Sequence, residues 1–303
     1  MAKSLYFQWI AGHPHDAIVA PAAAAHTYLV SSGRGKTGPD VTEWQNLAPQ
    51  TARPRPADAP APSVDPREVA RFSAMAAEWW DRDGKFRPLH RLNPVRLAYI
   101  RDNLIAHFDR KSAGARPLAG LRLLDIGCGG GLIAEPLTRL GAEVTGIDAS
   151  DTNIGVARAH AADMGLAIEY RTAAAEDLAA DGKRFDVVLC LEIVEHVADL
   201  DGFIAAASRL VRPGGVLIVA TLNRTPQSYL FAIVGAEYVL RWLPRGTHDW
   251  EKFVRPSELA AFLRRNGLAV RDLSGVVYSP LSGTWRIGRD LGVNYLCCAA
   301  RPA

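Results

Sequence analysis

From residue 121 onward, short apolar runs alternate with stretches of helical periodicity, and this alternation limits the possible folds more than any other feature. The apolar runs are, in chain order, LRLLDIG, AEVTGID, AIEYRT, FDVVLCL and GGVLIVATL. Two of the stretches between them, LIAEPLTRLG and TNIGVARAHAADMG, have the length and pattern of helices. Strands and helices that alternate in this way form right-handed β–α–β units. The sequence therefore predicts an α/β fold built on a doubly wound, Rossmann-like parallel sheet.

Two helices are expected before this region. Asp65 can cap the first one, with Pro66 at its first position and Glu68 placed to complete a capping box. Apolar residues at helical spacing extend this helix to Trp79. A second helix is predicted to start at Asn93–Pro94 and to run through VRLAYIRDNLIAHF. At the other end of the chain, the helix PSELAAFLRRNG, the run LAVRDLSGV and the terminal VNYLCCAA predict a hairpin-like, antiparallel edge.

Residues 1–64 differ in composition from the rest of the chain. They hold eight of the nineteen prolines and show no sustained periodicity, which favours extended chain over a packed core. We expect a disordered extension over residues 1–64 and one domain over residues 65–303. A linker, an organelle presequence and a start codon placed too early all remain open for the extension.

Overall composition limits the partners and the compartment. A formal charge of +3 is too small to indicate nucleic acid as a partner. The four cysteines form no metal-type C-x-x-C pair, so we expect reduced thiols in a cytoplasmic protein. No apolar run reaches the roughly 20 residues that a membrane-spanning helix needs.

A glycine-rich turn follows the first predicted strand. In LLDIGCGGG the strand ends near Asp125, and Gly127, Gly129 and Gly131 precede a helix, which is typical of a backbone that approaches a cofactor closely. A dinucleotide-binding turn would have Gly or Ala where this chain has Leu132. The G-x-G-x-G form after an acid instead resembles the cofactor motif of class I S-adenosylmethionine (SAM)-dependent methyltransferases.

An acid also ends the second predicted strand. The carboxylate of Asp148 could accept hydrogen bonds from both ribose hydroxyls of a cofactor. After the third strand, class I methyltransferases often have an Asp that contacts the adenine amino group, and this chain has Ala174 there. We therefore expect backbone and apolar contacts to adenine, with Ala175 and Glu176 nearby.

Further motifs lie outside this core. They are FSAMAAEWWDRDGKFRPLHRLNPVRLAYI, CLEIVEHV, TLNRTPQSYLFAIVGAEYVLRWLPRGTHDWEKF and VNYL. Together with LDIGCGGGLIAEPLTRLGAEVTGID they resemble the ubiquinone biosynthesis O-methyltransferases, over roughly residues 65–300. The resemblance implies a class I methyltransferase sheet with N-terminal helices and a helical segment inserted after the fifth strand.

The resemblance also implies an activity and site residues. The activity is SAM-dependent O-methylation of catechol-type hydroxyls on polyprenylated benzenoids, at the 2-polyprenyl-6-hydroxyphenol and 3-demethylubiquinol steps of ubiquinone biosynthesis. The residues that contact SAM would be Arg96, Gly127, Asp148 and Leu191. A metal dependence would act through Glu192, Glu195 and His196. A methyltransferase acting on another small molecule remains open, and Leu132 disfavours a nicotinamide-dependent oxidoreductase.

The segment EIVEHV follows the fourth strand, where ligands of open α/β sheets bind. On a helix, Glu192, Glu195 and His196 would stand at i, i+3 and i+4 and share one face. A phenolic hydroxyl has a pKa near ~10, so its methylation needs a general base or a cation that stabilises the phenolate. The three residues could supply either, with His196 and Glu192 as catalytic groups or with all three as Mg²⁺ ligands.

The stretch after the fifth strand is unusually apolar. Residues 226–246 combine interfacial aromatics, among them Tyr229 and Trp242, with arginines such as Arg245. We predict a peripheral contact with an anionic membrane here, which would place the protein at the cytoplasmic side of the inner membrane. Membership of a ubiquinone-synthesis complex is a further possibility that the sequence leaves open.

Overall fold

The computed structural model describes residues 63–111, 114–230, 249–279 and 284–303. The predicted extension therefore lies outside the described residues except for Ser63 and Val64. Most of the predicted membrane-contact segment lies outside them as well.

Eight strands and eight α-helical segments make up the described part of the chain. The strands are β1 (Arg122–Ile126), β2 (Glu143–Asp148), β3 (Glu169–Thr172), β4 (Phe185–Leu191), β5 (Val211–Leu222), β6 (Ala269–Ser279), β7 (Thr284–Gly288) and β8 (Asn294–Ala300). The helices are α1 (Pro66–Ser73), α2 (Arg87–His107), α3 (Ala134–Arg139), α4 (Asp151–Asp163), α5 (Ala175–Ala180), α6 (Leu200–Leu210), α7 (Pro226–Ser228) and α8 (Pro256–Arg265). Short 3₁₀ turns cover Ala76–Glu78, Val194–His196 and Trp250–Lys252.

All eight strands form one sheet in the order β3-β2-β1-β4-β5-β8-β6-β7. The first five are parallel, which confirms the doubly wound part of the prediction. The antiparallel C-terminal strands are also confirmed, although β8 pairs with β5 and β6 inside the sheet and β7 forms the edge. We did not predict β7 from the sequence. Its exposed and half-buried residues lack the apolar run that marked the other strands.

Both faces of the sheet are covered, and this explains the continuous apolar runs. In β4, Val187 and Leu189 join a cluster with α2, α3 and α4, whereas Val188 and Cys190 join a cluster with α5, α6 and α8. Successive side chains of a strand point to opposite faces, so a strand buried on both sides is apolar at every position. The four cysteines are buried free thiols.

Both N-terminal helices differ from their predicted bounds. The Asp65 carboxylate accepts a hydrogen bond from the Arg67 N–H at 2.9 Å and caps α1 as predicted, but the helix ends at Ser73, short of Trp79. The predicted start of α2 is wrong, because the helix begins at Arg87 and contains Pro94 in its interior. Packing of α2 against the sheet outweighs the hydrogen bond that a proline cannot make. Within the described residues, no helix is long and apolar enough to cross a membrane.

Candidate active site

The glycine turn lies directly after β1, at the carboxyl edge of the parallel strands. Gly127, Gly129 and Gly131 have φ angles of 72°, 52° and 89°, in the left-handed region that favours glycine. Space is also restricted, since a Cβ atom on Gly127 would lie 2.5 Å from Ile193 and one on Gly129 would collide with the Trp79 ring. The turn is therefore shaped by the protein's own side chains as well as by any ligand.

Asp148 ends β2 beside this turn, as predicted. Its Oδ2 accepts a hydrogen bond from the Gly129 N–H at 3.0 Å, and its Oδ1 accepts from the Ser150 N–H at 2.9 Å and from Asn153 Nδ2 at 3.2 Å. Burial raises the pKa of Asp148, and these three hydrogen bonds partly oppose that rise. The carboxylate is thus held in one orientation at the edge of the site.

Arg96 reaches the same edge from the interior of α2, not from the N-terminal turn that we expected. The residue is 3% exposed, and its guanidinium forms an ion pair with Glu192 and lies 3.5 Å from Asn93 Oδ1. A buried arginine needs such partners, because an unpaired charge is costly to remove from water. Arg96 is therefore a built part of the site and not a solvated surface residue.

The residues after β4 do not form the helical face that the spacing suggested. Leu191 is the last residue of β4, and Glu192 follows with a φ angle of 52°, which is unusual for a residue with a side chain. Glu195 and His196 then lie in a 3₁₀ turn. The prediction that the three side chains share one helical face was therefore wrong. Glu192 has a left-handed backbone conformation and lies outside the turn that carries Glu195 and His196.

Each of these three side chains has a different partner. Glu192 pairs with Arg96, the Oε2 atom of Glu195 accepts a hydrogen bond from Thr221 at 2.8 Å, and His196 Nδ1 lies 3.0 Å from a Glu68 carboxylate oxygen. Burial raises the pKa of Glu195 well above its usual range, and the nearby Glu192 charge raises it further.

These pairings bear on the predicted metal site. Within the ranges that the structure describes, no group of three His, Cys, Asp or Glu side chains is placed to hold a metal ion. To ligate Mg²⁺ together, Glu192 and His196 would have to leave Arg96 and Glu68. The residues as arranged do not fit a metal, so we derive no catalytic step through one, and the metal requirement stays a prediction.

Glu68 is a site residue that we assigned only to helix capping. Its carboxylate contacts Arg71 and His196 instead of closing a capping box. Burial raises the pKa of Glu68, but the hydrogen bond with His196 and the charges of His196 and Arg71 outweigh it and hold that pKa below its usual range. No signal in the local sequence relates this helix to a turn that comes more than a hundred residues later.

Ala174 and Glu176 lie where the predicted adenine contacts would be. Ala174 directly precedes α5, whose Asp177 side chain accepts a hydrogen bond from the Ala174 N–H. Glu176 is 5% exposed, and its Oε1 accepts from the Ser63 N–H at 3.1 Å. Its Oε2 is buried and has no hydrogen-bond partner among the described residues. An unpaired buried acceptor of this kind is consistent with a ligand that donates a hydrogen bond.

A parallel sheet with a left-handed glycine turn after β1 and an acid at the end of β2 is common to class I SAM-dependent methyltransferases and dinucleotide-binding enzymes, and the comparisons with known proteins identify the first class. The family model described as a methyltransferase domain matches residues 124–219. The magnesium protoporphyrin IX methyltransferase of Synechocystis PCC 6803, solved with bound SAH, superposes with a TM-score of 0.54 at 20% identity. The match covers 77% of this chain and 97% of that one, and it shows the fold.

Sequence relatives show the family within this class. A ubiquinone biosynthesis O-methyltransferase of Methylobacterium sp. (strain 4-46) is 59% identical over 242 residues, which are 80% of this chain and 97% of the relative. The protein of that name from Chelativorans sp. (strain BNC1) is 57% identical over 79% of this chain and 95% of its own length. This chain belongs to the family of ubiquinone biosynthesis O-methyltransferases. It is a SAM-dependent O-methyltransferase, and the resemblance stated from the motifs is confirmed.

Proposed function

We propose that this enzyme methylates catechol-type hydroxyls on polyprenylated benzenoid intermediates of ubiquinone biosynthesis. The two proposed substrates are 2-polyprenyl-6-hydroxyphenol and 3-demethylubiquinol. Membership of the family supports the pathway. The observation that carries the reaction type is the His196–Glu68 pair at the carboxyl end of β4, since an oriented imidazole beside the methyl donor suits proton removal from a hydroxyl.

The cofactor would lie across the carboxyl ends of β1, β2 and β4, and when bound it supplies a methyl group on a positively charged sulfur. We assign the ribose to Asp148, whose two oxygens already accept three hydrogen bonds. A carboxylate has room for about four, so Oδ2 can accept one ribose hydroxyl without rearrangement. We assign the contacts along the turn to Gly127, Gly129 and Gly131.

The two ends of the cofactor are assigned to other residues. The Arg96 guanidinium has five N–H donors in a planar fork, so it could hold the methionine carboxylate while remaining close to Glu192. Leu191, half-buried at the end of β4, would supply an apolar contact. The buried Oε2 of Glu176 could accept a hydrogen bond from the adenine amino group, a role for which the expected Asp is missing.

We propose His196 as the general base. The contact between Nδ1 and Glu68 orients the imidazole ring and assigns Nε2 as the nitrogen that would take the catechol proton. Because Glu192 lies between Arg96 and the buried Glu195, it is the second candidate for a group that contacts the substrate.

His196→Ala should abolish turnover and leave the SAM dissociation constant within about twofold, because the imidazole acts on the acceptor hydroxyl. Turnover with labelled SAM and calorimetry of SAM binding measure the two quantities. Substantial turnover by folded His196→Ala would rule out His196 as the base.

A chelator added to the wild type decides separately whether the enzyme requires a metal. If chelation stops turnover and Mg²⁺ restores it, the enzyme requires a metal, and a higher Mg²⁺ concentration for half-maximal turnover in Glu192→Gln and Glu195→Gln would identify its ligands.

The substrate is tested by transfer of a labelled methyl group from SAM to a panel of short-chain prenyl catechols. We expect both proposed ring types to be methylated and a catechol without a prenyl tail to be a poorer substrate. Preferential transfer to an unrelated small molecule would favour the alternative substrate class.

We also propose that residues 226–246 contact an anionic membrane beside the active site, on the cytoplasmic side of the inner membrane. β5 is parallel to β4, so the chain leaves it at the edge of the sheet that carries the site. Tyr229 and Leu230, the last described residues there, are 49% and 54% exposed. A prenyl tail could then stay in lipid while the ring enters the site. Participation in a ubiquinone-synthesis complex is compatible with this location.

A further inference from the structure

The segment of residues 63–80, which we call the N-terminal strap, contacts the loops at the carboxyl ends of four parallel strands. The Ser63 N–H donates to the side-chain Oε1 of Glu176 after β3, and the Ser63 carbonyl oxygen accepts from the Ala198 N–H after β4. Ser73 Oγ lies 2.6 Å from Ser150 Oγ after β2. Trp80 donates its indole N–H to the carbonyl oxygen of the glycine turn after β1, at 3.0 Å. The strap therefore closes over the edge where the cofactor is proposed to bind.

One of the contacts of the strap continues into the site. The indole N–H of Trp79 donates to Asn153 Oδ1 at 3.0 Å, and Asn153 Nδ2 donates to Asp148 Oδ1 at 3.2 Å. Trp79 and Asn153 are 8% and 2% exposed, so water competes little for either bond. Two hydrogen bonds thus connect the strap to the carboxylate that we assign to the ribose.

We call the two hydrogen bonds that join Trp79, Asn153 and Asp148 the relay. The chemistry of these three side chains fixes which group donates and which accepts in each bond. An indole nitrogen can only donate a hydrogen bond, and an ionised carboxylate can only accept one. The amide of Asn153 has one acceptor and one donor group, so it can join Trp79 to Asp148 in one orientation only. The Asn153 backbone N–H is also fixed, because it donates to Ser150 Oγ at 3.2 Å as part of the cap of α4.

The packing of Trp79 makes the relay rigid. Its ring stacks on Phe86 with centroids 3.8 Å apart. It also covers the glycine turn, where a Cβ atom on Gly130 would lie 2.5 Å from the Trp79 Cβ. The indole therefore cannot turn away from Asn153 without opening the strap.

We propose that Trp79 and Asn153 are positioning residues for cofactor binding, which orient Asp148 towards the ribose and make SAM affinity depend on the docked strap. The inference rests on the proposed ribose contact of Asp148. Without Asn153, the carboxylate keeps only its two backbone donors and gains freedom to rotate. We therefore expect variants of the relay to lose the part of the cofactor affinity that the ribose hydroxyls contribute.

The test measures binding of S-adenosylhomocysteine and of its 2′-deoxy and 3′-deoxy forms by calorimetry. Wild type should bind at least one deoxy form several-fold more weakly than the parent ligand. Asn153→Leu should weaken binding of the parent ligand roughly tenfold and Trp79→Phe at least about threefold. In both variants the affinities for the parent ligand and its deoxy forms should differ less than they do in wild type. A general disturbance of the site would instead weaken binding of all three ligands by the same factor.

Trp80→Phe is the matched control, because it also removes one indole N–H of the strap while keeping an aromatic ring, and that N–H donates to the Gly130 carbonyl oxygen and not to Asn153. It should preserve the ribose discrimination. The double variant Trp79→Phe/Asn153→Leu should bind no more weakly than Asn153→Leu alone, since both changes break one relay. Additive losses, or unchanged discrimination in both single variants, would overturn the proposal. If Asn153→Leu does not fold, Trp79→Phe carries the test, because it keeps an aromatic ring and removes the N–H.

Asp148→Ala separates this inference from the assignment on which it rests. The variant should bind S-adenosylhomocysteine at least tenfold more weakly than wild type. Unchanged binding by folded Asp148→Ala would overturn the ribose assignment itself. A loss in Asp148→Ala without any change in Trp79→Phe or Asn153→Leu would overturn the relay alone.

Discussion

Asp125, in β1, is the buried acid that should have the clearest effect on stability. It is 3% exposed, and burial together with the charge of Asp148 raises its pKa to about 7. In an unfolded chain an aspartate has a pKa of about 3.9. Between these values the folded state holds a proton that the unfolded state releases, so this residue makes the protein less stable as the pH rises.

The substitution Asp125→Asn should remove this dependence, because asparagine has a similar shape and does not titrate. The free energy of unfolding of the variant minus that of wild type should increase with pH between about 4 and 7. The limiting slope is about 1.4 kcal/mol per pH unit, and the difference should level off above that range. Urea denaturation at several pH values measures it. A difference that does not change with pH would show that Asp125 is ionised throughout.

At the scale of elements, α2 contains a proline at an unusual place. Pro94 lies inside the helix and is exposed, and it has no N–H to donate to the carbonyl oxygen of His90 one turn earlier. Pro88 is the second residue of the same helix, where no intrahelical donor is required. The two prolines therefore differ in cost although they share one helix.

Pro94→Ala should raise the free energy of unfolding by about 1–3 kcal/mol, because it restores a backbone hydrogen bond in an exposed helix interior. Pro88→Ala is the matched control, and we expect a change within about 0.5 kcal/mol. Chemical denaturation of both variants gives the comparison. Equal effects would mean that the helix has already relaxed around Pro94.

At the scale of the whole molecule, the sheet has two distinct edges. The carboxyl ends of the parallel strands carry the site and the start of the proposed membrane contact, where Trp250 donates its indole N–H to the Thr225 carbonyl at 2.9 Å. Met164 follows the C-terminal end of α4, a helix that starts beside Asp148, so it lies towards the opposite edge. It is 47% exposed and is a suitable apolar control.

The triple variant Leu230→Ser, Phe231→Ser, Trp242→Ser should bind anionic vesicles more weakly than wild type, because it removes apolar side chains from the proposed contact. Binding by wild type should also weaken as salt is added, since the arginines of the segment would meet charged headgroups. Vesicle sedimentation measures both effects, and Met164→Ser should behave as wild type. Equal binding by the folded triple variant would leave residues 226–246 without a membrane role.

The sequence by itself was sufficient for the features that depend on near neighbours. Strand β4 matched its predicted bounds, because burial on two covered faces favours an unbroken apolar run, here from Val187 to Leu191. The cap at Asp65 and the glycine turn after β1 also follow from local backbone requirements. The start of α2 was misplaced, since Asn93–Pro94 is a valid local start signal that packing of the longer helix outweighs.

Only the tertiary structure decided the partners of the site residues. Arg96 and Glu192 are 96 residues apart in the chain, and Trp79 and Asn153 are 74 apart. Local propensity holds no information about such pairs, because they form only when the order of the strands brings separate loops to one edge of the sheet. The spacing of EIVEHV suggested one shared helical face. The backbone at Glu192 is left-handed instead, and the three side chains pair with residues of three different elements: Arg96 in α2, Thr221 in β5 and Glu68 in the strap.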